Sequence, residues 1–170
     1  MKYTVQIEKL VFGGQALARL PDGRAVFVWN ALPGEEVEIE MIKGKKDYAE
    51  AVATHIIKAS PDRVEAKETA YLSTSPWQMI SEDAEAKYKV DIAVETYGRI
   101  GGLILQSQKP ELVSPTKHFG YRNKMEFSFC ELPDASISLA FFERGKKIKA
   151  AGAGSELAEP IINEVAKNVT

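Results

Sequence analysis

The reading of the fold rests on two patterns near the start of the chain. The first is Ile7-Glu8-Lys9-Leu10-Val11-Phe12-Gly13-Gly14-Gln15-Ala16-Leu17-Ala18-Arg19, closed by Asp22-Gly23-Arg24. The second is Val26-Phe27-Val28 running into Ala31-Leu32-Pro33-Gly34-Glu35, with Ser60-Pro61-Asp62-Arg63 at the far end. Ahead of them, Tyr3, Val5 and Ile7 alternate with Thr4, Gln6 and Glu8, the period of a half-buried strand. Gly13-Gly14 breaks that strand with a tight bend or bulge. In Pro21-Asp22-Gly23 the proline presets φ and the glycine accepts the left-handed position. Ala25 to Trp29 is a short apolar strand, and Leu32-Pro33-Gly34 is a further turn. Val37, Ile39 and Met41 alternate with Glu36, Glu38 and Glu40. Gly44-Lys45-Lys46-Asp47 then turns the chain into a last strand, Tyr48 to Ile57. Five short strands joined by tight turns predict an OB-like or SH3-like closed β-barrel over residues 1–65.

Outward from the barrel, residues 66–80 read as a linker, with a polar, small-residue stretch from Glu65 to Ser75. Ser81 is placed as a helix N-cap, followed by Glu82 and Asp83, which suit the positive end of the helix dipole. The helix runs to about Arg99. Val90, Ala93, Val94 and Tyr97 share one face, with Ile92 and Ile100 at its borders, and Gly101-Gly102 stops it. A second β region follows. Tyr121, Asn123, Met125, Phe127 and Phe129 alternate with Arg122, Lys124, Glu126 and Ser128. Pro133-Asp134 turns the chain into a partner strand, Ile137 to Phe142, and Gly145-Lys146 turns it into Lys147 to Ala150. Glu156 to Val169 is read as a final helix with Pro160 near its first turn. Residues 81–170 are therefore expected to be an α+β, antiparallel-sheet segment whose sheet is incomplete.

Composition narrows the function. The chain has 170 residues and a net charge of −2, so any contact with nucleic acid must come from local basic patches. A single cysteine, Cys130, excludes an intramolecular disulfide and a cysteine-based zinc or iron–sulfur site. Two histidines, His55 and His118, are too few for most histidine metal sites and are read as structural or exposed. There is no apolar run of the ~18 residues that spans a bilayer, and Met1-Lys2 leads straight into a strand. The expectation is a cytoplasmic monomer with no membrane partner.

The first segment resembles a TRAM domain, a small RNA-binding β-barrel found at the N-terminus of RNA-modifying enzymes. Gly120-Tyr121-Arg122-Asn123-Lys124-Met125-Glu126-Phe127 is similar to a pattern that opens the central domain of class I RNA (uracil-5-)methyltransferases. Leu139-Ala140-Phe141-Phe142-Glu143-Arg144-Gly145 and the segment from Glu156 to Ala166 follow at that family's spacing. The resemblance implies a full-length enzyme that uses S-adenosylmethionine, a cysteine nucleophile and an acid/base carboxylate, all in a doubly wound catalytic domain. None of these follows in this chain. Many members also carry a four-cysteine cluster motif between barrel and helix. Here that stretch is Tyr71-Leu72-Ser73-Thr74-Ser75-Pro76-Trp77-Gln78-Met79-Ile80, without cysteine, and Trp77 is expected to pack where the cluster would sit. Ala151-Gly152-Ala153-Gly154-Ser155 has the look of a Gly-rich cofactor turn. It is set aside because the strand before it is short and polar and no βαβ unit can follow.

The resemblance thus implies the RNA-binding N-terminal portion of an S-adenosylmethionine-dependent 23S rRNA or tRNA (uracil-5-)methyltransferase. It would be a truncation or a fragmentary gene product, with no cofactor of its own, no iron–sulfur cluster and no activity alone. Two alternatives stand beside it: a stand-alone TRAM-type RNA-binding module without catalysis, and a protein-interaction barrel, which the acidic balance favours.

The candidate RNA-binding residues form two groups. Lys43, Lys45 and Lys46 cluster around one turn, a loop that in this barrel class can track a phosphate backbone. The competing reading is a soluble hairpin tip flanked by Glu40, Asp47 and Glu50. Tyr121, Arg122 and Lys124 form the second group. On a strand, Arg122 and Lys124 would share a face opposite Tyr121, Asn123 and Met125, where a cationic pair can hold phosphates and Arg can stack on a base. The competing reading is a solvated face paired with Glu126 or Glu143. Phe12 and Trp29 are stacking candidates, but aromatics in a short barrel are expected in its core. Cys130 is read as a small buried hydrophobe, not a nucleophile.

Overall fold

The computed structural model describes residues 2–105, 110–145 and 148–169. The elements are β1 (Lys2–Leu10), β2 (Ala16–Arg19), β3 (Ala25–Trp29), β4 (Glu36–Gly44), β5 (Tyr48–Lys58), α1 (Tyr71–Thr74), α2 (Glu82–Gly101), β6 (Ser128–Glu131), β7 (Ile137–Phe142), β8 (Lys149–Ala151) and α3 (Pro160–Lys167). They fall into two compact units. One comprises Met1–Glu65 with Met79–Ser114; the other comprises Ala66–Gln78 with Pro115–Thr170. This division departs from a simple split in chain order, because α2 groups with the barrel.

In the first unit β1 to β5 form a closed barrel in the order β1-β2-β3-β5-β4. All pairs are antiparallel except β3 with β5, which run parallel and bring the end of the chain segment back beside its middle. Alternate residues point inward, as a period of two demands: Val5 and Ile7, Ala16 and Ala18, Val26 and Val28, Val37 and Ile39, Ala49 and Ala51 are all buried. Alanines on β2 and β5 let the valines and isoleucines of the other strands fill a narrow lumen. Gly13 and Gly14 both have positive φ (98° and 89°), which explains why the bend after β1 is written with two glycines. The register of β1 against β2 shifts between Ile7 and Lys9, a bulge next to that bend.

Helix α2 begins after Ser81, as expected, but Ser81 does not cap with its side chain. Its backbone N–H donates instead to the Asp62 carbonyl at 2.9 Å, and its carbonyl accepts from the Glu85 N–H at 2.8 Å. Glu82, Asp83 and Glu85 occupy the first turn, where carboxylates favour the dipole. Gly102, at φ 64°, ends the helix. The face that packs is not the apolar one read from periodicity. Ala84 and Tyr88 are the buried positions. The Tyr88 hydroxyl donates to the Asp62 carboxylate at 2.5 Å, and Lys9 Nζ meets Glu95 Oε1 at 2.5 Å. Val90, Ala93 and Val94 are only half-buried, while Tyr97 is exposed. The polar anchors at Asp62 and Lys9, distant in sequence, select the helix face, so an apolar stripe on the opposite side loses.

In the second unit β6, β7 and β8 form an antiparallel sheet in that order. The turn between β6 and β7 places Ala135 at φ 64°, and the Asp134 carboxylate accepts from both the N–H and the hydroxyl of Ser136. Two segments differ from the expectation. Tyr121 to Phe127 is not a strand: β6 starts at Ser128, and Arg122 makes only an isolated parallel bridge with Ala158. The Gly120 N–H donates to the Glu156 carbonyl, the Tyr121 and Arg122 N–H groups both donate to the Leu157 carbonyl, and the Glu159 N–H donates to the Arg122 carbonyl. Residues 156–159 are therefore the hydrogen-bonding partner of 120–122, not the first turn of a helix. α3 starts at Pro160, whose missing N–H is harmless there. A residue before proline is pushed out of the helical region, and Glu159 has ψ 145°. The expected turn at Lys146 and strand start at Lys147 lie outside the described residues; β8 is seen from Lys149.

The stretch read as a linker is hydrogen-bonded. The Glu68 carboxylate accepts from the Thr74 hydroxyl, from Gln78 Nε2 at 2.6 Å, from the Ser155 hydroxyl at 3.1 Å and from the Glu156 N–H at 3.1 Å. It ties 68–78 to the segment that leads into α3. Trp77 is half-buried, and Gln78, Met79 and Ile80 after it are buried. Among the described residues no helix is long and apolar enough to cross a membrane, and no cluster of three His, Cys, Asp or Glu side chains is placed to hold a metal ion.

Candidate nucleic-acid interface

Strand β4 carries Lys43 out of the barrel, and the turn into β5 presents Lys45 and Lys46; all three are exposed. Lys43 pairs in register with Glu50. Lys45 is organised rather than loose. Its ammonium lies 5.0 Å from the centre of the Tyr48 ring, and its carbonyl accepts from Arg24 Nη1 at 2.9 Å. The Tyr48 side chain holds the Lys45 ammonium above the ordinary lysine range, with Glu50 adding a smaller effect in the same direction. Arg24 is held in turn by Asp22 through Nε at 2.8 Å. The result is a cationic hairpin tip braced by an aromatic ring, with Arg24 as a fourth cation beside it. The sequence reading named the three lysines and missed Arg24 and Tyr48. The signal was an aromatic three residues after Lys45 and the Asp22-Gly23-Arg24 turn already noted.

The second group is brought together without a strand. Arg122 and Lys124 line one shallow cavity of about 260 Å³ with Ser73, Thr74, Met125, Glu126 and Phe141. Lys124 Nζ meets Glu126 Oε1 at 2.8 Å, and each shifts the other: the lysine upward and the glutamate downward. Both are well exposed, so the pair is screened by salt and contributes little to stability. Tyr121 is half-exposed at 50%. Of the stacking candidates, Trp29 is half-buried, but Phe12 is 80% exposed at the bend after β1. Cys130 sits half-buried in β6. His55 is exposed on β5, and His118 is half-buried.

The Gly-rich stretch offers no cofactor cradle. A Cβ at Gly154 would lie 2.8 Å from Asn163 Oδ1. Asn163 fills that space, accepting from the Ser155 N–H and donating to the Ser155 carbonyl, both at 3.0 Å. The strand before it has three residues and pairs antiparallel. These residues do not fit S-adenosylmethionine.

The TRAM domain family matches residues 2–54. This part of the chain is a TRAM domain. Across the chain, a five-stranded barrel followed by a three-stranded sheet with helices is the fold expected from the sequence. The TRAM domain and the residues after it are also similar to longer proteins. The chain is 38% identical, over 74% of its length, to an uncharacterized RNA methyltransferase of Aquifex aeolicus, of which it covers 29%. It is 39% identical, over 69% of its length, to a 23S rRNA (uracil(1939)-C(5))-methyltransferase of Methylococcus capsulatus, of which it covers 26%. It thus spans less than a third of the length of these relatives. In fold it is similar, over 97% of its length, to the crystal structure of Pyrococcus abyssi tRNA (uracil-54, C5)-methyltransferase in complex with S-adenosyl-L-homocysteine. That likeness has a TM-score of 0.57 at 18% identity and covers 35% of that chain.

Proposed function

We propose that this chain is the RNA-binding N-terminal portion of an S-adenosylmethionine-dependent (uracil-5-)methyltransferase of rRNA or tRNA. The observation that carries this reading is the TRAM match over residues 2–54 within a longer similarity to proteins named RNA methyltransferase. In this reading residues 1–65 are the RNA-binding barrel, residues 81–170 are a helix plus the N-terminal part of the central domain, and the chemistry belongs to the catalytic domain of the full-length family. Lys43, Lys45 and Lys46 contact phosphates from the barrel. Tyr121, Arg122 and Lys124 form a second contact, Tyr121 by stacking and the cations by charge. The net charge of −2 gives no long-range attraction, so affinity comes from these local groups and is sensitive to salt. The test is fluorescence anisotropy of a labelled single-stranded RNA titrated with the parent, with a Lys43/Lys45/Lys46→Ala variant and with an Arg122/Lys124→Ala variant. Both variants bind more weakly than the parent; equal affinity for all three proteins contradicts the assignment.

A further inference from the structure

The exposed ring of Phe12 belongs to a groove. It is lined by Phe12, Leu17, Arg19 and Phe27 of the barrel and by Arg99 and Ile100 of α2, and has a volume of about 510 Å³. That lies within the roughly 300–1,000 Å³ of clefts that hold small organic groups. Leu17 and Phe27 are cross-strand partners on the outer face of β2 and β3, and Arg19 pairs in register with Ala25 beside them. Phe27 is steadied from the other side by Tyr48, with ring centres 5.8 Å apart and planes at 75°. Phe12 is not on a loose tip. The Val11 N–H donates to the Gln15 carbonyl at 2.9 Å and the Gly14 N–H donates to the Val11 carbonyl at 3.0 Å, which pins the bend on both sides of the ring.

Charge decides what the groove suits. Two guanidiniums line it against a single carboxylate, Glu95. That carboxylate is already compensated by Lys9 at 2.5 Å. Arg99 meets Glu95 at 3.3 Å and Arg19 meets Glu8 at 3.6 Å. Both arginine side chains stay more than half exposed, and such pairs yield readily to a stronger anion. An apolar floor, a presented aromatic ring and flanking arginines are the parts of a single-strand platform: bases stack on rings while cations follow the backbone. The equivalent outer face serves oligonucleotide binding in OB-type barrels.

We propose that this groove takes one unpaired base of a single-stranded RNA, stacked on Phe12 over the Leu17 and Phe27 floor, with flanking phosphates on Arg19 and Arg99. The proposal rests on the RNA-binding reading above and adds a base-contacting subsite to it. The experiment compares a uridine 12-mer with an abasic 12-mer of the same backbone, titrated with the parent, Phe12→Ala, Phe12→Trp, Arg19/Arg99→Ala and the triple-lysine variant. Because Phe12 is exposed, Phe12→Ala melts with the parent. It loses about 5- to 100-fold in affinity for the uridine oligomer, with an unaltered salt slope. Phe12→Trp retains affinity, and the abasic oligomer does not distinguish Phe12→Ala from the parent. Arg19/Arg99→Ala lowers the log–log salt slope by about 1.4, two contacts at about 0.7 each. If Phe12→Ala binds the uridine oligomer as tightly as the parent while the triple-lysine variant is weakened, the groove assignment falls and the RNA reading stands. If neither variant is weakened, both fall. Phe12-dependent self-association in sedimentation, with no effect on RNA, overturns the proposal in favour of a protein contact.

Discussion

The Glu35 carboxylate and the Arg63 guanidinium form a two-point ion pair, with Nε 2.6 Å from Oε1 and Nη2 2.8 Å from Oε2. Glu35 is fully buried. Its oxygens also accept from the Leu32 N–H at 2.8 Å and the Ser60 N–H at 3.1 Å, and Arg63 donates a further hydrogen bond to the Asn30 carbonyl at 3.1 Å. This is why Ala-Leu-Pro-Gly-Glu and Ser-Pro-Asp-Arg occur in the same barrel. One supplies a buried anion and the other its cation, and together they satisfy the backbone where the strands enter and leave.

Removing the cation alone strands a charge in the interior. Arg63→Ala therefore lowers the unfolding free energy of the barrel by about 3–5 kcal/mol. Urea unfolding, followed by a probe in the barrel, measures it. A midpoint equal to that of the parent contradicts a structural role for the pair.

Tyr88 anchors α2 through its hydroxyl hydrogen bond to Asp62. Burial first, and then that hydrogen bond, push the phenol above its ordinary value near 10. A hydroxyl that is harder to ionise when folded stabilises the fold fully below pH 10, and this contribution is lost as pH rises beyond it. Tyr88→Phe costs about 1–3 kcal/mol at neutral pH. It also removes part of the parent's loss of stability between neutral pH and pH 11. Thermal melts of both proteins across that range decide it, and parallel curves would count against the anchor.

Glu68 holds four donors of the second unit, two of them from Ser155 and Glu156. Glu68→Ala leaves Thr74 and Gln78 without this partner and destabilises that unit by at least about 1–3 kcal/mol. Limited proteolysis of the variant cuts within 66–78 faster than in the parent. Equal rates would mean that the stretch opens freely in both.

The proposed division of labour predicts no methyl transfer by this chain alone. Incubation with labelled S-adenosylmethionine and bulk RNA leaves the RNA at background counts, and Cys130→Ser changes nothing. Transfer that Cys130→Ser abolishes would assign this half-buried cysteine a catalytic role and overturn the proposed division of labour.

The barrel was legible because its information is local. Glycines at 13, 14, 23 and 34 take the positive φ values that their turns require, and alternation places Val5, Val26, Val37 and their neighbours inside. The face of α2 was not legible, since Tyr88–Asp62 and Lys9–Glu95 join residues 26 and 86 positions apart. Tyr121 to Phe127 alternates like a strand, yet the N–H groups of its first two residues, Tyr121 and Arg122, both donate to the Leu157 carbonyl. Pro160 was the visible hint that the residues before it are extended. In the site, the lysine turn was plain from composition. The exposure of Phe12 was not, because a ring after a strand reads as core until the bend that expels it is seen.

The most direct test of the central claim is the affinity of the parent chain for single-stranded RNA as a function of salt. The expected result is weak binding at low ionic strength that falls linearly on a log–log plot, and a slope reduced by about 2 when Lys43, Lys45 and Lys46 are replaced by Ala. No binding at low salt, or a slope that the three replacements leave untouched, would contradict it.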